Sequence, residues 1–224
     1  MATAQRGAGL DGPVAHVGPV LAAILLTLRF SINRLNRWLM VPALRRGLGP
    51  WVATPAGGYL LLLQTRGRRT GLPRQAPLSY RIADGSIWVL AGFGPATQWY
   101  RNLIASPEVE VRLPGRSVRC VATEIDAPEL RRTFAPGLVR ATGLPGLLIG
   151  CNPWTAPDDR ILAQLEGVPL IRLDPVDGPI AASPDDPGGR AWLWRQGFLG
   201  LVTVIGFWLV RFGRRGRPGA QRVG

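Results

Sequence analysis

Short apolar segments separated by tight-turn signals run from Leu60 to Ile125, and this pattern restricts the chain to an antiparallel β architecture. YLLLLQT and RQAPLSYRI flank a glycine-containing turn, Asp84-Gly85 precedes SIWVLAGF, and Pro-Gly joins EVEVRL to RSVRCVATEI. The last two segments alternate polar and apolar residues with period two, so each is predicted to place one face on a core. Asp-Gly is a strong hairpin signal. A further strand, VPLIRL, is predicted to end the domain.

Helical segments are predicted to flank these strands. Thr97 is placed to cap a short helix, QWYRNLIA, which ends at Ser106-Pro107 because the residue before a proline disfavours helical geometry. The segment APELRRTFAPGLVRAT begins as a helix and is predicted to break at Pro136. Residues 158–166 form another candidate helix. The chain is therefore expected to be mainly β, of the α+β class.

The basic charge of the chain lies at its two ends. All 27 basic residues are arginine, and the net charge is +13. Residues 1–50 hold six arginines and one acidic residue, and residues 191–224 hold six arginines and no acidic residue. Residues 51–190, in contrast, hold 15 arginines and 13 acidic residues. A nucleic-acid binder is expected to carry its basic patch on the folded domain, so no nucleic-acid partner is predicted. Arginines beside apolar runs favour an anionic membrane surface instead.

Several kinds of chemistry are excluded by composition. Without lysine the chain has no Schiff-base lysine and no phosphate-loop lysine. One histidine and two cysteines do not suffice for a structural zinc site of the Cys/His type or for a histidine-centred triad, so no metal is predicted.

Both ends carry apolar segments with arginine neighbours. Val17–Leu28 is uncharged but shorter than the roughly 20 residues that cross a bilayer. Leu28, Ile32, Leu35 and Leu39 continue it at helical spacing, as in an interfacial helix or in a helix packed on its own domain. Near the other end, Gly197–Val210 lies between tryptophans and arginines. A monotopic or re-entrant attachment on the cytoplasmic side is preferred to a single span, because the arginine-rich tail favours the same side as a cytoplasmic domain.

These patterns predict four regions. Residues 1–50 hold a disordered start and an apolar membrane-associating helix, and residues 51–176 form the folded domain. Residues 177–190 are a Pro/Gly/Asp-rich linker, and residues 191–224 form an apolar helix with a basic tail. The oligomeric state is left open.

The turn between the first two strands, TRGRRTGLPRQ, concentrates positive charge. Arg68, Arg69 and Arg74 surround Gly67 and Gly71, which permit tight backbone geometry. Guanidinium groups pair bidentately with phosphates and carboxylates, so the turn suits an anionic ligand. By itself it is equally consistent with a solvated basic turn.

Four blocks in uninterrupted order resemble the deazaflavin-dependent nitroreductase family: LLLQTRGRRTGLPRQAPLSY, IWVLAGFG, QWYRNL and SPEVEVRL. Members of that family read approximately L-T-T-x-G-R-K-[ST]-G-x-P-R-x-x-P-L, then V-x-A-S, then W-Y-x-N-L-x-x-N-P-x-V-x-V. The resemblance extends from Leu60 to Ile125 and implies a split β-barrel that binds coenzyme F420, a deazaflavin with a phosphate and a polyglutamate tail.

The resemblance implies a set of cofactor-binding residues in three blocks. The turn and the strand after it supply Arg68, Arg69, Thr70, Arg74, Gln75, Ala76, Pro77, Leu78 and Ser79. The strand IWVLAGF supplies Leu90, Ala91, Gly92 and Phe93 near the ring system. The short helix supplies Gln98, Trp99, Tyr100, Arg101 and Asn102.

The activity implied by the resemblance is hydride transfer from reduced F420 to a small lipophilic acceptor, a quinone or a nitro compound. No tyrosine follows Tyr100, whereas nitro-reducing members carry several in the later helical segment, which argues against nitroimidazole reduction. The apolar stretch FAPGLVRATGLPGLLIGCNPW offers a lining for a lipophilic acceptor. Tyr100 and Ser79 are candidate proton or hydrogen-bond donors, with a structural role as the alternative. Two other functions stay open: a non-catalytic cofactor- or lipid-binding barrel, and an FMN-dependent oxidoreductase.

Overall fold

A closed barrel of six antiparallel strands forms the centre of the computed structural model, which describes residues 36–149 and 152–213. Around the barrel the strand order is β1-β2-β3-β6-β5-β4. The strands are Leu60–Arg66 (β1), Pro73–Ala83 (β2), Ser86–Leu90 (β3), Glu108–Leu113 (β4), Arg116–Ile125 (β5) and Leu170–Pro175 (β6). The expected α+β barrel with flanking helices is confirmed.

Six α-helices accompany the barrel in the described part of the chain. They are Val41–Arg45 (α1), Gly49–Val52 (α2), Gln98–Ala105 (α3), Pro128–Ala141 (α4), Asp158–Gln164 (α5) and Ala191–Gly213 (α6). A π-helical turn, Asn36–Met40, precedes α1, and a 3-10 turn, Leu144–Ile149, follows α4. The predicted apolar segment Val17–Leu28 and its continuation through Ile32 and Leu35 lie outside the described residues.

Alternating side chains fill the barrel, as the period-two pattern predicts. Leu61, Leu63, Tyr80, Val89 and Val111 point inward and are completely buried. Burying one such aliphatic side chain contributes about 2 kcal/mol, so this interior is the main source of stability.

Helix α4 corrects the expectation of a break at Pro136. The helix continues through Pro136 to Ala141. Phe134, Pro136 and Leu138 are buried, and the Phe134 ring stacks on Trp88 of β3 at a centroid distance of 3.9 Å. Packing of this apolar face on the barrel outweighs the missing proline N–H and its steric cost.

The strand directions give the barrel two distinct ends. The β1–β2 turn, Gly67–Leu72, lies at one end, called here the turn end. The turns Asp84-Gly85 and Pro114-Gly115 lie at the opposite end, called the base end, as the pairs Ala83↔Ser86 and Leu113↔Arg116 require.

The segment predicted as a linker, 177–190, crosses the base end without regular secondary structure. Ile180 donates its N–H to the Gly85 carbonyl at 2.9 Å and packs against the barrel core. Asp186 of the same segment is completely buried. Helix α6 begins immediately after this segment, so α6 leaves from the base end.

Candidate functional site

The β1–β2 turn is a compact loop held by its own backbone. Gly67 N–H donates to the Leu72 carbonyl at 2.9 Å, and Gly71 N–H donates to the Gly67 carbonyl at 2.7 Å. Gly71 has a φ of +68°, a conformation that residues with a Cβ rarely adopt. The two glycines therefore fix the shape of the turn on which the arginines stand.

Arg68 joins the turn to helix α3. Its Nη1 donates to Gln98 Oε1 at 3.0 Å and to Asn102 Oδ1 at 3.1 Å, and its backbone N–H donates to the same Asn102 oxygen at 3.2 Å. Asn102 is buried. Because both acceptors are neutral amides, Arg68 is positioned without losing its charge to a carboxylate.

Arg69 and Arg74 are exposed beside Arg68. Within residues 36–149 and 152–213 neither guanidinium has a hydrogen-bond or ion-pair partner. Arg66, at the end of β1, is also exposed, and its Nε lies 3.7 Å from the point where a Cβ on Gly71 would stand. The predicted set left Arg66 out, although it belongs to the same basic stretch. Together these arginines form a concentration of unneutralised positive charge at the turn end.

The predicted run from Gln75 to Ser79 is divided between the two faces of β2. Ala76 and Leu78 share the inward face of Tyr80, and Leu78 packs in the core. Gln75, Pro77 and Ser79 alternate onto the outer face. Because their side chains alternate between the two faces of the strand, these five residues cannot all contact one ligand.

Gln75 takes part in a polar network on the outer face of the barrel. Its amide accepts from Arg45 Nε and donates to Gln64 Oε1 at 2.8 Å, and Gln64 Nε2 donates to Glu110 Oε2 at 3.0 Å. A shallow depression here is lined by Leu62, Gln64, Gln75, Glu110 and Arg112. The Gln75 side chain is therefore already occupied by protein partners.

The block Leu90–Phe93 includes only one strand residue, since β3 ends at Leu90. Leu90 packs toward helices α4 and α5, and Ala91 is fully buried in the barrel core. Gly92 is half-buried, whereas Phe93 is 44% exposed. Of the four, Gly92 and Phe93 are the ones that present surface at the turn end.

Helix α3 begins at Gln98, as predicted, although Thr97 does not cap it by a side-chain hydrogen bond. The Thr97 hydroxyl donates to the Gly94 carbonyl at 3.0 Å instead. Trp99 packs against the barrel core, and Arg101 Nε donates to the Pro95 carbonyl at 3.3 Å.

The hydroxyl of Tyr100 is engaged with a carboxylate. It donates to Glu124 Oε2 of β5 at 2.7 Å. Burial, followed by this hydrogen bond and the Glu124 charge, raises the pKa of Tyr100 to about 12. Among the described residues no hydrogen bond joins Tyr100 to Ser79, so the two candidate donors do not act as a pair here.

The described residues contain no group of three or more His, Cys, Asp and Glu side chains arranged to hold a metal ion. Cys120 is a buried free thiol, and burial raises its pKa to about 12. The chemistry available at the turn end is therefore anion binding by guanidinium groups beside the aromatic residues of α3.

The structure thus presents a six-stranded barrel with a basic turn, suited to an anionic ligand, at one end. Residues 39–142, a little under half of the chain, match the family model described as F420H2-dependent quinone reductase. The matched residues include the turn and α3. The predicted resemblance to F420-dependent oxidoreductases is confirmed, and the protein is an F420-dependent reductase.

Solved structures with similar chains include a conserved hypothetical protein from Mycobacterium tuberculosis, at 21% identity and a TM-score of 0.42 over 58% of this chain and 78% of that one. A second is an F420-H2 dependent reductase, at 20% identity and a TM-score of 0.38 over 51% of this chain and 93% of that one. A third is the heme storage protein HutZ from Vibrio cholerae, at 18% identity and a TM-score of 0.38 over 52% and 80%. At these scores the similarities carry no functional argument.

Proposed function

We propose that the turn end binds the anionic tail of coenzyme F420 and that the protein reduces a lipophilic acceptor such as a quinone at the cytoplasmic face of the cell membrane. The observation that carries the cofactor site is a pair of exposed guanidinium groups, those of Arg69 and Arg74, which have no partner among the described residues. They lie beside Arg68, which α3 holds in place. A neutral ligand would not need this charge.

The residues at the turn end fit the cofactor's anionic groups. Arg66, Arg69 and Arg74 would hold phosphate and carboxylate oxygens, because guanidinium pairs bidentately with both. Arg68 positions the turn against α3, and Thr70, exposed in the same turn, adds a hydroxyl. When bound, the deazaflavin supplies the hydride, and the protein orients it and excludes water.

A lipophilic acceptor is supported by apolar surface at the same end of the barrel. Leu72 is 58% exposed and Phe93 is 44% exposed, and both lie in segments that border the arginine turn or α3. The predicted acceptor lining in Phe134–Trp154 is less suitable, since Phe134, Leu138 and Val139 are buried against the barrel. Nitro compounds stay a secondary acceptor class.

The membrane location is supported by helix α6. Among the described residues, Ala191–Arg211 is the one helix long and apolar enough to cross a bilayer, with a mean hydropathy of 1.5 and no part of its most apolar window buried. Length and composition alone do not distinguish a span from a monotopic attachment.

The cofactor proposal is tested by fluorescence titration of the full chain with deazaflavins of increasing tail length and with FMN. Arg69→Gln and Arg74→Gln are each expected to weaken binding of tailed F420 about 10-fold, because each removes a charge-assisted hydrogen bond. Binding of a deazaflavin without a tail should change little. Arg160→Gln, an exposed arginine on α5 with no partner among the described residues, is the matched control.

Two results would refute the cofactor assignment. One is tighter binding of FMN than of any deazaflavin. The other is wild-type affinity for tailed F420 in the Arg69→Gln and Arg74→Gln double variant. Tight F420 binding without turnover on a broad panel of quinones would instead favour the non-catalytic carrier.

A further inference from the structure

The side chain of Asn102, on helix α3, is bonded to the arginine turn through two groups of one residue. Its Oδ1 accepts from the backbone N–H of Arg68 at 3.2 Å and from Nη1 of the same residue at 3.1 Å. Asn102 is 5% exposed, whereas Arg68 is exposed. One buried amide oxygen therefore fixes the backbone and the guanidinium of Arg68 together.

Helix α3 is itself fixed to the barrel by contacts that do not involve the turn. Leu103 is buried in the barrel core, and Trp99 packs against the same core. Tyr100 Oη donates to Glu124 Oε2 of β5 at 2.7 Å. Because these contacts hold α3, Asn102 is a firm point of attachment for the turn.

The backbone N–H groups of the turn show what this attachment leaves available. Those of Gly67 and Gly71 are bonded within the turn, and that of Arg68 is bonded to Asn102. The N–H of Arg69 has no acceptor in the described part of the chain, and its guanidinium is also without a partner there. A main-chain N–H and a guanidinium are both suitable donors to phosphate or carboxylate oxygens. By holding Arg68, Asn102 fixes the chain immediately before these donors.

The amide of Asn102 also leaves the charge of Arg68 in place. Arg68 bonds to α3 through Nη1 only, with Gln98 Oε1 at 3.0 Å as the second acceptor. Within residues 36–149 and 152–213, its Nε and Nη2 have no partner and it forms no ion pair. A carboxylate in place of either amide would neutralise the guanidinium locally. The charge of Arg68 therefore adds to those of Arg69 and Arg74.

We infer that Asn102 is the positioning residue of the anion site. It presets the geometry in which the turn meets an anionic tail, and it does so without neutralising Arg68. It acts through Arg68 rather than by touching the ligand, because the two Arg68 donors occupy its oxygen and the residue is buried. The resemblance implied direct cofactor contact for Asn102, and the inference gives it an indirect role instead. The inference rests on the proposed cofactor site and deepens it.

The first test does not need the cofactor. Hydrogen exchange of the Arg68 amide is followed by NMR in the cofactor-free full chain. Asn102→Leu keeps the approximate side-chain size but removes the acceptor, so exchange should accelerate about 10-fold or more. Asn102→Asp keeps an acceptor oxygen and should leave the exchange rate nearly unchanged. An unchanged rate in Asn102→Leu would overturn the inference, because Asn102 would then not hold the turn.

The second test compares tailed F420 with a tail-free deazaflavin in fluorescence titrations. Both Asn102 variants should weaken binding of tailed F420 about 10-fold and leave binding of the tail-free compound within about twofold. In Asn102→Asp the new carboxylate pairs with Arg68 and repels the tail, so its loss should shrink more with added salt than that of Asn102→Leu, which is geometric. If Asn102→Leu does not fold, Asn102→Asp decides the question through this salt-dependent loss.

Asn152→Asp is the matched control, since it makes the same chemical change at an exposed asparagine that accepts the backbone N–H groups of Trp154 and Thr155. It should bind tailed F420 like the parent chain. Equal losses for the tailed and tail-free compounds in the Asn102 variants would overturn the inference, as would parent affinity in both variants. Absence of F420 binding by the parent chain would overturn the proposed cofactor, whereas the amide exchange would still decide whether Asn102 holds the turn.

Discussion

Arg68 and Arg69 are neighbours in the sequence but differ in their surroundings. The guanidinium of Arg68 is fixed by two amide oxygens of α3, whereas that of Arg69 is exposed and has no partner among the described residues. From the sequence, both were expected to bind the anionic tail of the cofactor. In the structure Arg68 is a positioning residue, and Arg69 remains a candidate for binding the ligand. Gln75, which the resemblance also assigned to the cofactor site, is likewise held by protein partners, because its side-chain amide bonds to Arg45 and Gln64.

Tyr100 is expected to act through packing rather than as a proton donor. Replacement by phenylalanine should leave turnover with reduced F420 within about threefold, because its hydroxyl is directed to Glu124, whereas loss of a general acid would cost roughly 100-fold. The variant should lose about 1 kcal/mol of stability with the hydrogen bond. Steady-state kinetics with a quinone analogue and urea denaturation measure the two effects. A turnover loss near 100-fold at unchanged stability would contradict this assignment.

The raised pKa of Tyr100 also predicts an alkaline effect. A tyrosine whose folded pKa of about 12 exceeds its unfolded value of 10.0 contributes stability that is complete below pH 10 and is lost as the pH rises toward 12. The melting temperature of the parent chain should therefore fall over that interval. The fall should be smaller in the Tyr100→Phe variant, and identical curves would show that the phenol is not perturbed.

Two segments differ in the structure from what their sequences predicted. Pro136 predicted the end of a helix, but the apolar face around it packs on the barrel and α4 continues. The Pro/Gly/Asp-rich composition of residues 177–190 predicted a linker, and the segment has no regular structure, yet Asp186 inserts into the barrel base. Both outcomes depend on contacts with residues distant in sequence.

The contribution of residues 177–190 to stability can be tested by comparing two ion pairs of this segment. Asp186→Ala should destabilise the protein by about 3 kcal/mol, because it leaves the Tyr80 hydroxyl and Arg116 without their buried partner. Asp177→Ala removes the exposed partner of Arg119 and should change stability by about 0.5 kcal/mol or less. Urea unfolding of both variants measures the difference, and equal effects would mean that the buried Asp186 does not support the fold.

At the scale of the whole molecule, the barrel has a basic turn at one end and an apolar helix at the other. The charge balance of the sequence indicated that the folded domain is nearly neutral and that the flanks are basic. The strand register shows in addition that the arginine turn and the start of α6 lie at opposite ends of the barrel, which no local sequence pattern indicates.

Deletion of residues 191–224 tests the proposed purpose of this arrangement. The shortened protein is expected in the soluble fraction with unchanged F420 affinity, since the turn end is remote from α6. Its KM for menaquinone in vesicles should rise about 10-fold with the loss of effective concentration at the membrane, while its KM for a water-soluble quinone stays constant. Persistence of the deleted form in the membrane fraction would show that α6 is not the only anchor, since residues 1–50 are also predicted to associate with the membrane.

The sequence by itself determined where the strands lie along the chain, the position of α3 and the concentration of arginines in one turn. These features follow from local periodicity, turn residues and charge, which act over a few neighbouring positions. The tertiary structure decided which arginines of the described residues lack a partner, that Leu78 and Ala91 belong to the core, and that Asp186 anchors residues 177–190 at the barrel base. Those outcomes depend on barrel closure, because only closure decides which side chains face inward and which distant groups come within hydrogen-bonding distance.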